Sequence, residues 1–149
     1  MHFTHQDSHM ISVHAGLGEV IKLRKAVQSL AEREGVSPAD VLIACKDDYQ
    51  QTAAHMAAKS GQSKSIEALA ELVGDKEKKI VFFNMANRFS GDRPVHTAMR
   101  HGYLDVFKAL VNHGADPNVK NRFGDVVTDY PGDYEPEEVQ AVIDQYNKA

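Results

Sequence analysis

The chain repeats itself, and this self-similarity limits its possible folds more than any other feature. One set of residues recurs 41 positions later: His55, Ala57, Ala58, Lys59, Gly61 and Leu69 correspond to His96, Ala98, Met99, Arg100, Gly102 and Leu110. A second set recurs after 34 positions: Asn84, Asn87, Arg88 and Phe89 correspond to Asn118, Asn121, Arg122 and Phe123. The underlying period is therefore about 33 residues with one insertion of about eight, which predicts a stack of similar units.

Within one repeat the pattern predicts two helices. The apolar residues of Asp105 to His113 fall on one helical face, and Gly114 followed by Pro117 supplies a stop signal. Pro94 precedes this stretch and suits the first position of an earlier helix, where no backbone N–H is needed. Each unit is thus expected to be a helical hairpin.

The residues of these hairpins resemble those of a known family. Residues 92–102 read DRPVHTAMRHG, similar to the ankyrin signature TPLHxAAxxGH, and residues 104–118 resemble its second helix and GADxN exit. Residues 52–62 form an earlier copy with Ala53 in the place of Pro, and residues 124–130 form a degenerate one. The resemblance covers residues 47–130 and implies an all-α ankyrin-repeat solenoid of stacked helix-turn-helix units with short hairpin loops.

We expect a single ankyrin-repeat domain over residues 1–149. It divides into an N-terminal capping unit at about 8–46 with an inserted helix after Ser37-Pro38, repeats at 47–86 and 87–120, and a degenerate C-terminal capping repeat at 121–149. A second insertion spans residues 74–83. Its charged half is expected to be a solvated loop or helix extension, whereas Ile80 to Phe83 must either pack on the stack or contact a partner.

The resemblance also implies a set of residues that maintain the repeat. The family uses the signature histidine to hydrogen-bond the turn that begins the first helix. The structural residues carried over in this way are Thr52, His55, Gly61, Pro94, His96, Gly102, Gly114 and Asn118. Leu110 to Asn118 also resembles segments modified by asparaginyl hydroxylases, although Pro117 stands where an aliphatic residue is usual.

Nothing in the sequence indicates catalysis, a cofactor or a metal site. Cys45 is the only cysteine, which excludes an internal disulfide and a Cys-rich zinc site, and its apolar neighbours favour a buried inert thiol over a nucleophile. No phosphate-binding, zinc-protease or serine-hydrolase motif occurs. The N-terminal histidines, His2, His5, His9 and His14, are interpreted as a flexible tail or cap surface.

Charge and hydropathy restrict the partners. A net charge of −4 and a pI near 6.0 argue against nucleic acid. No apolar run of about 18 residues and no export signal is present, so we expect no membrane contact. We expect a monomer in the cytoplasm, or in the nucleus, that binds another protein.

In the ankyrin family the hairpin tips and the inner face of the first helices bind the partner. Carried over by position, the predicted partner-binding residues are Asp48, Tyr49, Gln51, Lys59, Ser60, Arg88, Phe89, Asp92, Arg100, His101, Arg122, Phe123 and Asp125. Arg beside an aromatic residue is favoured in interfaces. Four of the cations, Lys59, Arg88, Arg100 and Arg122, are expected to form a strip for an acidic partner segment.

Alternatives remain open at this stage. Phe89 and Phe123 could instead pack between neighbouring hairpins, with the adjacent arginines merely solvated. The protein could also act as a regulatory or substrate-recognition subunit of an enzyme complex, or bind a small ligand with its 74–83 insertion.

Overall fold

A computed structural model describes residues 2–149, and in that range it contains helices and no strands. The α-helices are α1 (His5–Leu17), α2 (Val20–Glu34), α3 (Pro38–Ala44), α4 (Ala53–Lys59), α5 (Ser63–Val73), α6 (Lys76–Phe83), α7 (Pro94–Arg100), α8 (Leu104–Asn112) and α9 (Pro136–Lys148), with a 3₁₀ turn at Val127–Asp129. The prediction of an all-α fold is confirmed.

The helices form two layers. The inner layer consists of α1, α4 and α7, which pack side by side. The 3₁₀ turn packs against α7 at the end of this layer. The outer layer consists of α2, α5, α8 and α9, and each inner helix also packs on the outer helix that follows it in the chain. The two inserted helices, α3 and α6, contact each other and lie against α5.

Small side chains allow the inner helices to lie close together. Ala57 and Ala58 on α4 and Ala98 on α7 are fully buried. The turn from α4 to α5 uses Gly61 at a φ of 72°, where a Cβ atom would come within 2.7 Å of the Tyr103 ring. Only glycine satisfies both the left-handed backbone and this close approach without strain.

A buried histidine joins the first complete hairpin to the next. The His55 ring is fully buried, and its Nδ1 accepts a hydrogen bond from the backbone N–H of Thr52 at 3.1 Å. Nε2 lies 2.9 Å from the carbonyl oxygen of Asp92 in the following unit. Because Nδ1 is an acceptor, the proton of the neutral ring lies on Nε2 and is donated to that carbonyl.

His96 repeats this arrangement one unit later. Its Nδ1 accepts from the N–H of Arg93 at 3.0 Å, and its Nε2 lies 3.0 Å from the carbonyl oxygen of Val119. Each ring thus caps the start of its own helix and holds the following hairpin. Two successive junctions of the stack are fixed by the same pair of bonds.

Three of the four N-terminal histidines, His5, His9 and His14, lie in a capping helix and not in a flexible tail, and His2 precedes that helix. Thr4 caps α1 through a capping box with Asp7, which also binds Arg33 of α2 at 2.9 Å. His5 and His9 lie four residues apart on the exposed side of α1. Residues 2–149 hold no group of three or more His, Cys, Asp or Glu side chains that could bind a metal.

The first insertion forms the helix expected from its capping signals. Ser37 caps α3 through a capping box with Asp40, and Pro38 occupies the first turn. Cys45 follows the helix and is 3% exposed, and burial raises the pKa of its thiol. The expectation of a buried, unreactive thiol agrees with this environment.

The second insertion is a helix with two different faces. Asp75 caps α6 by accepting from the N–H groups of residues 77 and 78. Phe82 and Phe83 are fully buried, and their rings meet edge-on with 5.1 Å between the ring centres. Ile80 and Val81, in contrast, are 45% and 54% exposed. The two aromatic residues therefore belong to the core, and only the aliphatic pair remains on the surface.

The C-terminal helix covers the last repeat. Pro136 stands in the first turn of α9, and Val139 and Ile143 are its buried residues. No helix within residues 2–149 is both long and apolar enough to cross a membrane.

The burial of α6 predicts a large difference between two neighbouring substitutions. Phe83→Ala should lower the free energy of unfolding by about 3–5 kcal/mol, because it removes a buried ring and leaves a cavity. Val81→Ala, on the exposed side of the same helix, should change it by about 0.5 kcal/mol or less. Urea denaturation followed by circular dichroism measures both, and equal losses would contradict a core role for α6.

His55 should make stability depend on pH. Burial lowers the pKa of His55 from 6.5 to about 4. Between these pH values His55 binds a proton in the unfolded chain but not in the folded chain. The free energy of unfolding therefore falls as the pH drops through this window. The loss should reach about 3 kcal/mol.

Denaturation curves at pH values from about 7.5 to about 4 would test this dependence. His55→Gln should flatten the pH dependence, whereas His9→Gln, on the exposed side of α1, should leave it unchanged. The same slope in the wild type and in His55→Gln would refute the assignment.

Candidate functional site

Three hairpin tips lie in a row along one edge of the stack, at residues 48–50, 88–90 and 122–124. The backbone N–H of Arg88 donates to the carbonyl oxygen of Tyr49 at 2.6 Å, and that of Arg122 donates to the carbonyl oxygen of Ser90 at 2.9 Å. These bonds fix the spacing of neighbouring tips, so side chains on different tips form one continuous surface.

A side chain at the base of each tip shapes its backbone. The Asp47 carboxylate accepts from the N–H groups of Tyr49 and Gln51, both at 2.9 Å. Turns in which an Asp or Asn side chain binds the backbone a few residues ahead are a common way to stabilise a tight loop.

The other two tips use asparagine at the equivalent place. The Asn87 amide oxygen accepts from the N–H of Ser90 at 3.0 Å, and that of Asn121 accepts from the N–H of Phe123 at 2.9 Å. Asn87 and Asn121 were not among the predicted functional residues, although their recurrence 34 residues apart was the available signal.

Each tip carries one large aromatic side chain that is exposed. Tyr49 is 62% exposed, Phe89 74% and Phe123 68%. The alternative in which the two phenylalanines pack between hairpins is therefore wrong. Apolar side chains of this size, aligned on one edge, are typical of an interaction surface.

Two cations stand beside these rings. Arg88 and Arg122 are exposed, and within residues 2–149 neither guanidinium has an ion-pair or hydrogen-bond partner. We call these five residues, Tyr49, Arg88, Phe89, Arg122 and Phe123, the tip row. Its composition of aromatic residues and arginine matches that of interface hot spots.

The structure corrects the expectation for Asp92 and Arg100. Asp92 is 6% exposed, and one Arg100 nitrogen, Nη2, lies 2.9 and 3.1 Å from its two carboxylate oxygens. The Asn121 amide also donates to Asp92 at 2.9 Å. Asp92 is thus inaccessible to a partner, and Arg100 neutralises it, so the charge of Arg100 is already balanced within the chain.

Tyr130 completes this network. Its hydroxyl lies 3.0 Å from Arg100 Nη2, and the Arg100 guanidinium carbon lies 4.7 Å from the centre of its ring. Burial raises the pKa of Tyr130 to about 12. The network connects the second repeat with the C-terminal unit.

The remaining predicted contact residues lie apart from the tip row or are partly covered. Lys59, Ser60 and His101 are exposed at the C-terminal ends of α4 and α7. Each of these helices has seven residues and is about 10 Å long, and the tips lie beyond its other end. With Arg100 paired and Lys59 distant, the four predicted cations do not form a continuous strip.

Three more predicted residues lie near the tips. Asp48 is exposed beside Tyr49, and its carboxylate is 3.9 Å from His5. Gln51 is partly buried and accepts from the Asn87 amide at 3.5 Å, and Asp125 accepts from the Tyr130 hydroxyl at 3.4 Å.

The structural motif residues not yet described lie at hairpin ends. Gly102 and Gly114 have φ angles of 78° and 106°, and Pro94 is the first residue of α7. Asn118 is exposed, and its amide donates to Asn147 of α9 at 2.8 Å. This bond attaches the end of the second repeat to the C-terminal helix.

The family model described as ankyrin repeats, with three copies, matches residues 17–121. The chain therefore belongs to the ankyrin-repeat family, whose members are protein-interaction modules.

Solved structures include a similar chain. It comes from the crystal structure of the yeast ribosomal protein Rps3 in complex with its chaperone Yar1, with 28% sequence identity and a TM-score of 0.75. The similarity covers 99% of this chain and 95% of that one. No curated protein matches the chain.

Because Arg100 binds the buried carboxylate of Asp92, we predict that this arginine stabilises the fold, although it was expected to contact a partner. Arg100→Ala should lower the free energy of unfolding by about 1–3 kcal/mol, because it leaves a buried carboxylate without its cation. Arg122→Ala should change it by about 0.5 kcal/mol or less. Urea unfolding of both variants is the measurement, and an Arg100→Ala protein as stable as the wild type would contradict the network.

Proposed function

We propose that the chain is a non-enzymatic protein-interaction module, an adaptor, scaffold or inhibitor, that binds its partner through the tip row. The observation that carries the proposal is the exposure of Tyr49, Phe89 and Phe123 on three successive tips. Leaving three large rings in water is unfavourable, and covering them with a partner removes that apolar surface from water.

The charges of the tip row indicate the chemistry of the partner. Arg88 and Arg122 point to an acidic segment, since their guanidinium groups have no acid within residues 2–149 to neutralise them. Lys120, also exposed and close to the third tip, adds a cation that the sequence analysis did not assign. We therefore propose a partner segment with carboxylates spaced to meet the two arginines and apolar residues to cover the rings.

A regulatory subunit would use the same surface, whereas a small-ligand site in the 74–83 insertion has weaker support. Phe82 and Phe83 are buried in the core, so Ile80 and Val81 are the large apolar side chains of the insertion that remain exposed. We further propose that the protein acts as a monomer without a cofactor, in the cytoplasm or nucleus.

A second candidate function is that of a chaperone for one particular protein. It is supported by the likeness to a chain from the complex of Rps3 with its chaperone Yar1, which extends over almost the whole of both chains. In this function the tip row would hold a segment of the client before the client joins its final assembly.

Charge reversal on the tip row tests the proposal. Affinity capture from the source cells identifies proteins retained by the wild type, and calorimetry with the purified partner gives its affinity. Arg88→Glu combined with Arg122→Glu should weaken binding by about tenfold or more, and so should Phe89→Ala combined with Phe123→Ala.

The matched control reverses Lys25 and Lys64, which are exposed on the outer helices α2 and α5. This double variant has the same change in net charge and should bind as the wild type does. Equal affinity of all three variants would exclude the tip row as the binding surface.

A further inference from the structure

A groove lies at the C-terminal end of the stack, between residues 128–134 and the start of α9. Its volume is about 620 Å³. The apolar part of its lining consists of Tyr130, Pro131, Tyr134, Pro136 and Val139. The residues that line this groove do not include any residue of the tip row.

The chain segment that forms the groove carries charge of a single sign, and Arg100, which packs on the Tyr130 ring of the lining, is paired with Asp92. From Phe123 to Asn147 the chain has no Lys, Arg or His and seven acids: Asp125, Asp129, Asp133, Glu135, Glu137, Glu138 and Asp144. The net charge of the whole chain is −4, so the residues outside this stretch carry a net charge of +3. The negative charge of the protein is thus concentrated in its C-terminal unit.

Some of these acids have structural roles and others do not. Asp129 accepts from the N–H of Val126 at 2.8 Å, and Glu138 lies 3.7 Å from Lys108. Asp133, Glu135 and Glu137 are exposed, and in residues 2–149 their carboxylates have no hydrogen-bond or ion-pair partner. Glu137 lines the groove and Asp133 belongs to the segment that forms its wall.

The chain itself contains an example of the contact that such a groove offers. Arg100 places its guanidinium 4.7 Å from the centre of the Tyr130 ring while it binds the carboxylate of Asp92. A cation between an aromatic ring and a carboxylate is stabilised by both. An aromatic ring and a free carboxylate, those of Tyr134 and Glu137, also line the groove.

We propose that this groove binds a basic segment of a partner protein, rich in Lys and Arg. The aliphatic stems of those residues would lie on the tyrosine and proline surfaces, and their charged ends would reach Asp133 and Glu137. Long basic side chains cover apolar surface in this way while their charges remain near water and acids. Charge complementarity selects this occupant, because an acidic peptide or a nucleic acid would be repelled by the same carboxylates.

This second surface goes beyond the proposed function, since the tip row is cationic and the groove is acidic. A partner bound at both surfaces would need an acidic segment for the tip row and a basic segment for the groove. Such a partner would bind in one orientation along the stack. The two sites can also be tested separately.

Fluorescence polarisation with a short labelled peptide rich in Lys and Arg tests the groove. The full chain should bind this peptide, and a Glu-rich peptide of the same length, which the cationic tip row could hold, should not compete with it. Asp133→Lys combined with Glu137→Lys should weaken binding by about tenfold or more.

The control is Glu32→Lys combined with Asp105→Lys, which produces the same change in net charge at exposed acids of α2 and α8. Asp105 and Glu137 both occupy the first turn of their helices, so the two variants also match in their effect on a helix terminus. The control should keep the affinity of the wild type for the basic peptide. Circular dichroism verifies that both variants fold.

Amide chemical shifts locate the bound peptide. Shifts confined to residues 128–140 would support the groove, and Arg88→Glu with Arg122→Glu should leave them in place. The proposal is overturned if the basic peptide does not bind or if the Glu-rich peptide competes with it. It is also overturned if the Asp133/Glu137 and Glu32/Asp105 variants lose affinity equally, or if the shifts spread over all acidic surfaces.

Discussion

The stack depends on the hydrogen bonds that two buried imidazole rings, those of His55 and His96, make between neighbouring units. Each ring accepts a bond from the start of its own helix and donates one to the hairpin of the next unit. A neutral ring satisfies both contacts, whereas a protonated ring would lose its acceptor. Burial lowers the pKa of both histidines and so maintains the neutral form that the geometry requires.

These junctions also determine the geometry of the tip row. In a repeat protein each unit contacts only the units next to it, so the position of each hairpin depends on its neighbours. His55 holds the base of the second hairpin at Asp92, and a backbone bond from Arg88 to Tyr49 holds its tip. Rings on separate hairpins therefore form one surface whose spacing does not depend on a partner.

Charge is distributed unevenly along this rigid frame. The exposed arginines of the tips have no acidic partners within residues 2–149, while residues 123–147 contain seven acids and no Lys, Arg or His. Opposite charges on two surfaces of a small protein favour a defined orientation during association. The acidic segment proposed for the tip row and the basic segment proposed for the groove both follow from this separation of charge.

The sequence by itself determined the class of fold and the ends of many helices, because the repeat, the capping residues and the stop signals are local. Pro94, Ser37 and Pro136 illustrate this, since each stands at the helix start that its chemistry predicts. The repeat also located the tips that carry Arg88 and Arg122.

Only the tertiary structure decided which polar residues remain free. Arg100 and Arg122 look equivalent in sequence, yet Arg100 binds Asp92 and the hydroxyl of Tyr130. The Arg122 guanidinium has no such partner within residues 2–149. The same holds for Phe83 and Phe89, of which one is buried and one is exposed. Pairing and burial depend on contacts between residues that are distant in sequence, and such contacts leave no local pattern.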